Sequence, residues 1–340
     1  MKKTLIAIAA LAATGAFAQS SVSVYGRVDA YAGSLENTLH SNATPAESQT
    51  VLNSGGLSTN RWGLKGSEDL GDGLKANFQL EQGFALDKGS ANGDQFDRHA
   101  WVGLSGQFGE VRVGRSFTAL DDLRGDTNQV ANSNLAATYE VWQAGGSDYV
   151  FNQKNQIKYL APGWNGFSGG ASVALGENKN ASNNTGRDST DVHALQLRYT
   201  EGPLLVGYGH QTEEQVGGAA SIKYHYLGAA YDFGVAKAVG GYQRAKDGNG
   251  ARQAYQVGVQ VPYGFFNFHA GYAKSRADEL KGKNHDVDGY SLVAIYSVSK
   301  RTDAYLGYKR LSEKSATAAD GVGAQAGEKR QFSVGLRHIF

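Results

Sequence analysis

No cysteine occurs anywhere in the 340 residues, which excludes disulfides and thiolate metal sites and leaves the fold without covalent staples. There is no excess of either charge: the formal net charge is +1, and no block of like charges marks a nucleic-acid surface or a charged tail. Beyond the N-terminus no segment approaches ~18 unbroken apolar residues, so spanning helices are excluded. The eight histidines are scattered without metal-ligand spacing, and no glycine fingerprint for nucleotides lies between a strand and a helix. What is present is 46 glycines and 18 tyrosines beside only 4 prolines, at a mean hydropathy of −0.41. A low average does not exclude a membrane protein, because strands that alternate apolar and polar residues average to a hydrophilic score.

The N-terminus stands apart. Lys2 and Lys3 precede the apolar run "TLIAIAALAATGAF", and Ala16-Phe17-Ala18 forms a small-x-small cleavage site. The pattern reads as a secretory signal peptide over residues 1–18, leaving a single domain over 19–340 in an exported chain.

The remainder is dominated by period-two alternation. In the terminal "QFSVGLRHIF", Phe332, Val334, Leu336 and Phe340 fall on one face and Gln331, Ser333, Gly335 and Arg337 on the other, with His338 breaking the apolar row. "LKANFQLEQGF" sets Leu74, Ala76, Phe78 and Leu80 against Lys75, Asn77, Gln79 and Glu81. "AYQVGVQVP", "GFFNFHAGYA" and "TDAYLGYKR" repeat the pattern. Runs 192–199 and 235–245 fit either parity poorly.

Two kinds of connection separate these runs. Short turns fall at 69–73, 106–109, 161–166, 200–203, 232–234, 262–264 and 298–302. Longer polar stretches fall near 34–56, 87–95, 116–153, 178–190, 212–221, 247–251, 277–286 and 315–327. Fifteen connections imply sixteen strands, give or take about two. The expected fold is all-β, a transmembrane antiparallel β-barrel of about sixteen strands. A barrel that wide cannot fill its bore with side chains, so its wet face encloses water and its oily face meets lipid. A soluble sandwich would share the alternation but not the two classes of loop length. Tyr31, Tyr159, Tyr199, Tyr208, Tyr242 and Tyr272, near strand ends, suit an interfacial aromatic girdle.

Several stretches together resemble the general bacterial porins of the Gram-negative outer membrane, of the beta-proteobacterial type. They are "SVSVYGRVDAY", "STNRWGLKGSEDLGDGLKANFQLE", "DRHAWVGLSGQFGEVRVGR", "NQIKYLAPGWNGFSGGASVALGE" and "FSVGLRHIF", and they run from end to end. The resemblance implies a homotrimer in outer-membrane lipid and lipopolysaccharide, a third loop folded inward to narrow the pore, and passage of small hydrophilic solutes and ions. It also implies that Phe340 is the signal read by the barrel-assembly machinery.

A passive pore needs a constriction of defined width and charge, not a catalyst or cofactor. The longest loop, 116–153, carries Asp121, Asp122, Asp126 and Glu140 with Arg124 among them. The resemblance sets wall arginines opposite, at Arg27, Arg61 and Arg98. Parity independently turns Arg27 and Asp29 toward the lumen. The arginines favour anions and the loop carboxylates oppose them. The Pro-Glu-Phe-Gly-Gly loop tip of enterobacterial relatives is absent. "GFSGG" at 166–170 matches G-x-S-x-G around Ser168, but a strand run follows it where a nucleophile elbow needs a helix. The sequons at 180–182 and 183–185 are formal matches only, and "HDVDGYS" lacks a full calcium-loop pattern. The alternatives to a pore are an outer-membrane barrel enzyme of protease or lipase type, or an adhesive barrel.

Overall fold

The computed structural model describes residues 21–38, 48–128, 134–177, 190–215, 219–248, 250–277, 285–315 and 325–340. The 1–18 segment and both sequons lie outside them. In chain order the strands begin with β1 (Ser21–Asn37), β2 (Gln49–Ser54), β3 (Arg61–Gly71), β4 (Leu74–Ala85), β5 (Ser90–Ala91), β6 (His99–Gly106) and β7 (Gly109–Phe117). Two helices follow, α1 (Ala119–Thr127) and α2 (Ala137–Ala144). The chain then continues through β8 (Asn152–Leu160), β9 (Phe167–Ala174), β10 (Val192–Glu201), β11 (Leu204–Glu213), β12 (Ile222–Asp232) and β13 (Lys237–Asp247). It ends with β14 (Gly250–Tyr263), β15 (Phe266–Arg276), β16 (His285–Ser297), β17 (Thr302–Ser315) and β18 (Gln325–Ile339).

All pairings are antiparallel, and β1 pairs β18 from Arg27↔Ile339 to Asn37↔Lys329, so the sheet closes on itself. The result is a 16-strand barrel with 2 extra strands. The extras have simple causes. β2 and β3 lie end to end beside β1, with Ala30↔Ser54 and Arg27↔Arg61 on either side of a break. β5 only extends a hairpin on β4, through Phe84↔Ala91 and Ala85↔Ser90.

At the break, residues 55–60 leave the sheet and fold inward, burying Leu57, Ser58 and Asn60. The buried Asp29 carboxylate holds them, accepting from the backbone N–H groups of Gly56 (3.0 Å), Leu57 (2.9 Å) and Ser58 (2.8 Å), and from Tyr305 Oη (2.6 Å). Asp29 thus faces inward as its parity requires, but its charge is enclosed.

The apolar row of each strand lies on the outside with nothing covering it: Val24 is 66%, Val257 56% and Leu336 55% exposed. The opposite parity is buried or polar, as with Gln256, Lys309, Gln331 and Ser333. In hydrocarbon this is the favourable arrangement, because closure satisfies every strand edge and the oily row replaces lipid contacts. The short turns lie on one rim. In the β3–β4 turn Gly71 (φ 89°), Asp72 (φ 51°) and Gly73 (φ 78°) all adopt left-handed backbone, which explains the glycines on either side of Asp72.

Three expectations need correction. The 247–251 stretch is no long loop, because Asp247 at the end of β13 already pairs with Gly250 at the start of β14. The 34–56 stretch includes the end of β1 and all of β2. Tyr31 belongs to no girdle: it faces the lumen and packs with Leu57, Leu135 and Tyr305, because the inward fold of 55–60 offers it a core there. Tyr159, Tyr208 and Tyr242 do lie exposed on the outside.

Candidate functional site: a charged eyelet

The segment after β7 turns into the bore. Thr118 caps α1, its Oγ1 accepting from Asp121 N (3.4 Å), and Asp121 and Asp122 sit in the first turn where the helix dipole favours negative charge. The apolar side of the two helices is buried on the wall. Leu120, Leu123, Val141, Trp142 and Tyr149 form one core with the inward-facing Ala194, Tyr224, Tyr226, Ala245, Ala254, Ala273, Val287 and Leu311. Gly207 and Gly209 make room for α1. A Cβ on the first would lie 2.5 Å from Leu123 Cδ1, and on the second 2.3 Å from Leu120 Cδ1.

Polar contacts fix the rest of the segment. Gln256 donates to Thr127 O (2.9 Å), Thr138 donates to Gln256 Oε1 (2.7 Å), and Thr127 Oγ1 bonds Tyr226 Oη (2.6 Å). Val150 N donates to Glu213 Oε1 (2.7 Å). Leu135 N donates to Gly56 O (3.2 Å), tying the segment to the inward fold of 55–60. It is therefore a packed element of the lumen.

The helices lie on β9–β13 and β15–β17, so the wall of β1, β3, β4 and β6 faces them across the gap. Between the two sides is a cavity of about 110 Å³, lined by Thr59, Arg61, Arg98, Phe117, Asp121, Arg124, Asn134, Tyr139 and Phe151. Arg27 stands beside Arg61 as its cross-strand partner. Glu81 of β4 lies under the cluster, 2.6 Å from Arg98 Nε and 3.6 Å from Arg61 Nη1, and also accepts from Tyr25 Oη (2.9 Å). The Arg98 guanidinium lies 5.2 Å from the centre of the Phe117 ring.

Each carboxylate of the loop lies against a cation, Asp121 and Asp148 sharing Arg124. Asp121 is buried, 4.0 Å from Arg124 Nε, and accepts from Tyr149 Oη (2.9 Å). Burial pushes its carboxyl up to about 6 against the pull of Arg124 and that hydrogen bond. Arg124 also pairs with Asp148. Asp122 Oδ2 meets Lys158 Nζ at 2.5 Å, and Asp126 pairs with Arg198. Glu140 lies 3.0 Å from Lys309 Nζ and 2.8 Å from Lys329 Nζ. Burial alone would raise the Glu140 carboxyl, but these two ammonium groups hold it below the usual carboxylate range.

Of the residues singled out in the sequence, Arg61, Arg98 and Asp121 therefore line one cavity, with Arg27 adjoining. Asp122 and Asp126 lie farther along the loop, held to wall cations. Glu81 was not anticipated, although its parity with Gln79 turns it inward. Phe340 exchanges backbone hydrogen bonds with Gly26, 3.0 Å each way, at the closing seam. Ser168 lies within β9 opposite Arg198, in strand rather than at an elbow. Among the described residues no cluster of His, Asp and Glu could hold a metal ion.

A closed, lipid-facing barrel whose water-filled bore is narrowed by a folded-in loop defines an outer-membrane diffusion channel. The chain belongs to the Gram-negative porin family, which matches residues 4–316. It is 35% identical to outer membrane porin protein 32 of Delftia acidovorans and 30% identical to major outer membrane protein P.IB of Neisseria meningitidis serogroup B, over the full length of both chains in each case. Among solved structures, the anion-selective porin from Comamonas acidovorans superposes with a TM-score of 0.81 at 30% identity, covering 95% of this chain and 100% of that one. The protein is a passive outer-membrane channel, and solutes cross it through the bore that the loop narrows.

Proposed function

We propose that the channel passes small hydrophilic solutes and ions with a preference for anions. In this reading Arg27, Arg61 and Arg98 form the positive side of the eyelet, Asp121 faces them, and Asp122 and Asp126 line its approach. One observation carries the sign. The five loop carboxylates Asp121, Asp122, Asp126, Glu140 and Asp148 are balanced by five cations, Arg124, Lys158, Arg198, Lys309 and Lys329, whereas Arg61 and Arg98 share Glu81 and Arg27 adjoins them. The surplus on the wall is positive, and arginine keeps its charge at any working pH. The relative described as anion-selective supports the same sign. A planar bilayer holding the purified protein in a salt gradient tests it: the reversal potential takes the sign of chloride permeation, and the opposite sign rejects the preference.

The same reading makes the barrel non-enzymatic and homotrimeric. It takes 1–18 as a cleaved leader, needs no cofactor, and makes Phe340 the residue that the assembly machinery recognises on the way to lipopolysaccharide-rich membrane. Migration of the unheated protein as a trimer, and loss of membrane insertion in Phe340→Ala, are the expected results.

A further inference from the structure

The cavity between the loop and the wall has two unlike sides. On one side stand Arg61 and Arg98, each anchored through its Nε: Arg98 Nε donates to Glu81 Oε1 (2.6 Å), and Arg61 Nε donates to Thr59 O (3.3 Å). Arg61 Nη1 lies 3.6 Å from the same Glu81 oxygen. Among the described residues neither guanidinium makes a further hydrogen bond, so the Nη ends of both forks are left for a guest. On the other side are rings. Phe117, Tyr139 and Phe151 line the same cavity, each half-buried. They form a connected chain, with ring centres 6.0 Å apart for Phe117 and Phe151 and 6.3 Å, edge to face, for Tyr139 and Phe151. His99 extends it, standing edge-on to Phe117 at 4.8 Å. The Arg98 guanidinium, over the Phe117 ring, joins the two sides.

A pore that passed only inorganic ions would have no use for the second side. Rings left half-exposed at a wet constriction are unfavourable, and polar side chains would avoid that cost. The loop does not depend on them for its seat, which is made by the core around Leu120, Leu123 and Trp142 and by the Glu140 ion pairs. An aromatic carboxylate uses both sides at once. Its carboxylate matches the planar forks of Arg61 and Arg98, and its ring pairs with the rings of the loop neck. The volume of about 110 Å³ is on the order of a single six-membered ring. Asp121 also lines the cavity, but Arg124 at 4.0 Å answers its charge. Toward the short-turn rim the pairing of cation with ring recurs on the same wall. Lys65 Nζ lies 5.2 Å from the Tyr25 ring centre, and Arg112, which is shared with Glu110, lies 4.3 Å from that of the buried Trp101.

We infer, resting on the eyelet proposed above, that this site transiently holds small aromatic carboxylates, the carboxylate on Arg61 and Arg98 and the ring against Phe117, Tyr139 and Phe151. Single-channel recording in planar bilayers tests it, with benzoate, cyclohexanecarboxylate and benzyl alcohol added to potassium chloride as probes. Benzoate is expected to interrupt the current at concentrations about twofold to tenfold lower than cyclohexanecarboxylate, which has the same charge and a similar size but no π-face. Benzyl alcohol, with the ring but no charge, is expected to block least. Tyr139→Leu and Phe151→Leu, which keep an apolar side chain, narrow the gap between the two carboxylates, whereas Arg98→Gln weakens both alike. Equal block by benzoate and cyclohexanecarboxylate in the unaltered protein overturns the site, and so does an undiminished gap in both leucine variants. Block by benzyl alcohol as strong as that by benzoate rejects the part given to the arginines. The comparison of probes needs no variant to fold, and stepwise conductance shows which variants have folded. The reversal potential in potassium chloride alone reports the anion preference separately. Chloride-selective channels indifferent to the ring keep that preference and lose this site; cation-selective channels with ring-dependent block do the reverse.

Discussion

Lys309 of β17 is fully buried inside the wall, and its Nζ lies 3.0 Å from Glu140 Oε1 on α2. With Lys329 at 2.8 Å it forms the clamp that holds the second half of the folded-in segment against the barrel. Replacing Glu140 by Gln leaves Lys309 buried without its counter-charge, a loss of about 3–5 kcal/mol. The expected result is a noisier channel with new substates and faster proteolysis within 134–151. Replacing both residues, as Glu140→Leu with Lys309→Met, costs less than the single change, and the two noise spectra compared side by side check this.

The clamp also has a pH dependence. The Glu140 carboxyl titrates below its unfolded value of 4.5, so the stabilisation is fully present above that value and is lost as pH falls through the depressed one. Channel noise is expected to stay flat from neutral pH down to about 4.5 and to rise in stronger acid. Onset of noise near pH 6 would point to another group.

Asp121 has the opposite sign. Its carboxyl is raised from 3.8 to about 6, so the folded protein takes up a proton that the unfolded chain releases, and this group's contribution to stability declines as pH rises between those values. Protonation also removes a negative charge from the eyelet. Anion preference is expected to strengthen as pH falls from 8 to 5, and Asp121→Asn is expected to hold the acid-side reversal potential throughout.

On the opposite wall, Arg61→Glu or Arg98→Glu reverses a charge lining the cavity of the proposed eyelet. The anion-to-cation permeability ratio is expected to drop by about tenfold, and Glu81→Gln is expected to raise it. Reversal potentials in a salt gradient measure both, and an unchanged value in either arginine variant would remove that residue from the eyelet.

The seat of α1 makes a steric prediction. Gly209→Val places branched methyl groups where Leu120 packs, at a cost of about 1–3 kcal/mol. The helix is expected to move toward the bore and lower the single-channel conductance, with ion preference little changed.

The lipid-facing half of this protein is legible in the sequence because hydrocarbon imposes one rule on every strand. Phe332, Val334 and Leu336 obey it, and so do Phe266 and Phe268. The inward half is legible only where water fills the bore. In β10 and β13 the inward residues Ala194 and Ala245 are apolar because they share a core with the folded-in segment, and the alternation blurs there. Parity turns Arg27 inward, while Arg61 and Arg98 are set on the wall by the family resemblance alone. Their shared acid, Glu81, has no such mark, because a single glutamate among inward glutamines signals nothing until the fold brings Arg61 and Arg98 to it. Asp29 shows the reverse: parity turned it correctly inward, but the break at 55–60 that encloses it has no periodic signature.

The bonds between Gly26 and Phe340 join the first strand to the final residue of the chain. Closure of the cylinder therefore joins segments about three hundred residues apart and waits until β18 exists. A chain without β18 keeps two raw borders, each a row of unpaired amides that a bilayer interior rejects. Hydrocarbon thus admits the finished cylinder and refuses the open sheet.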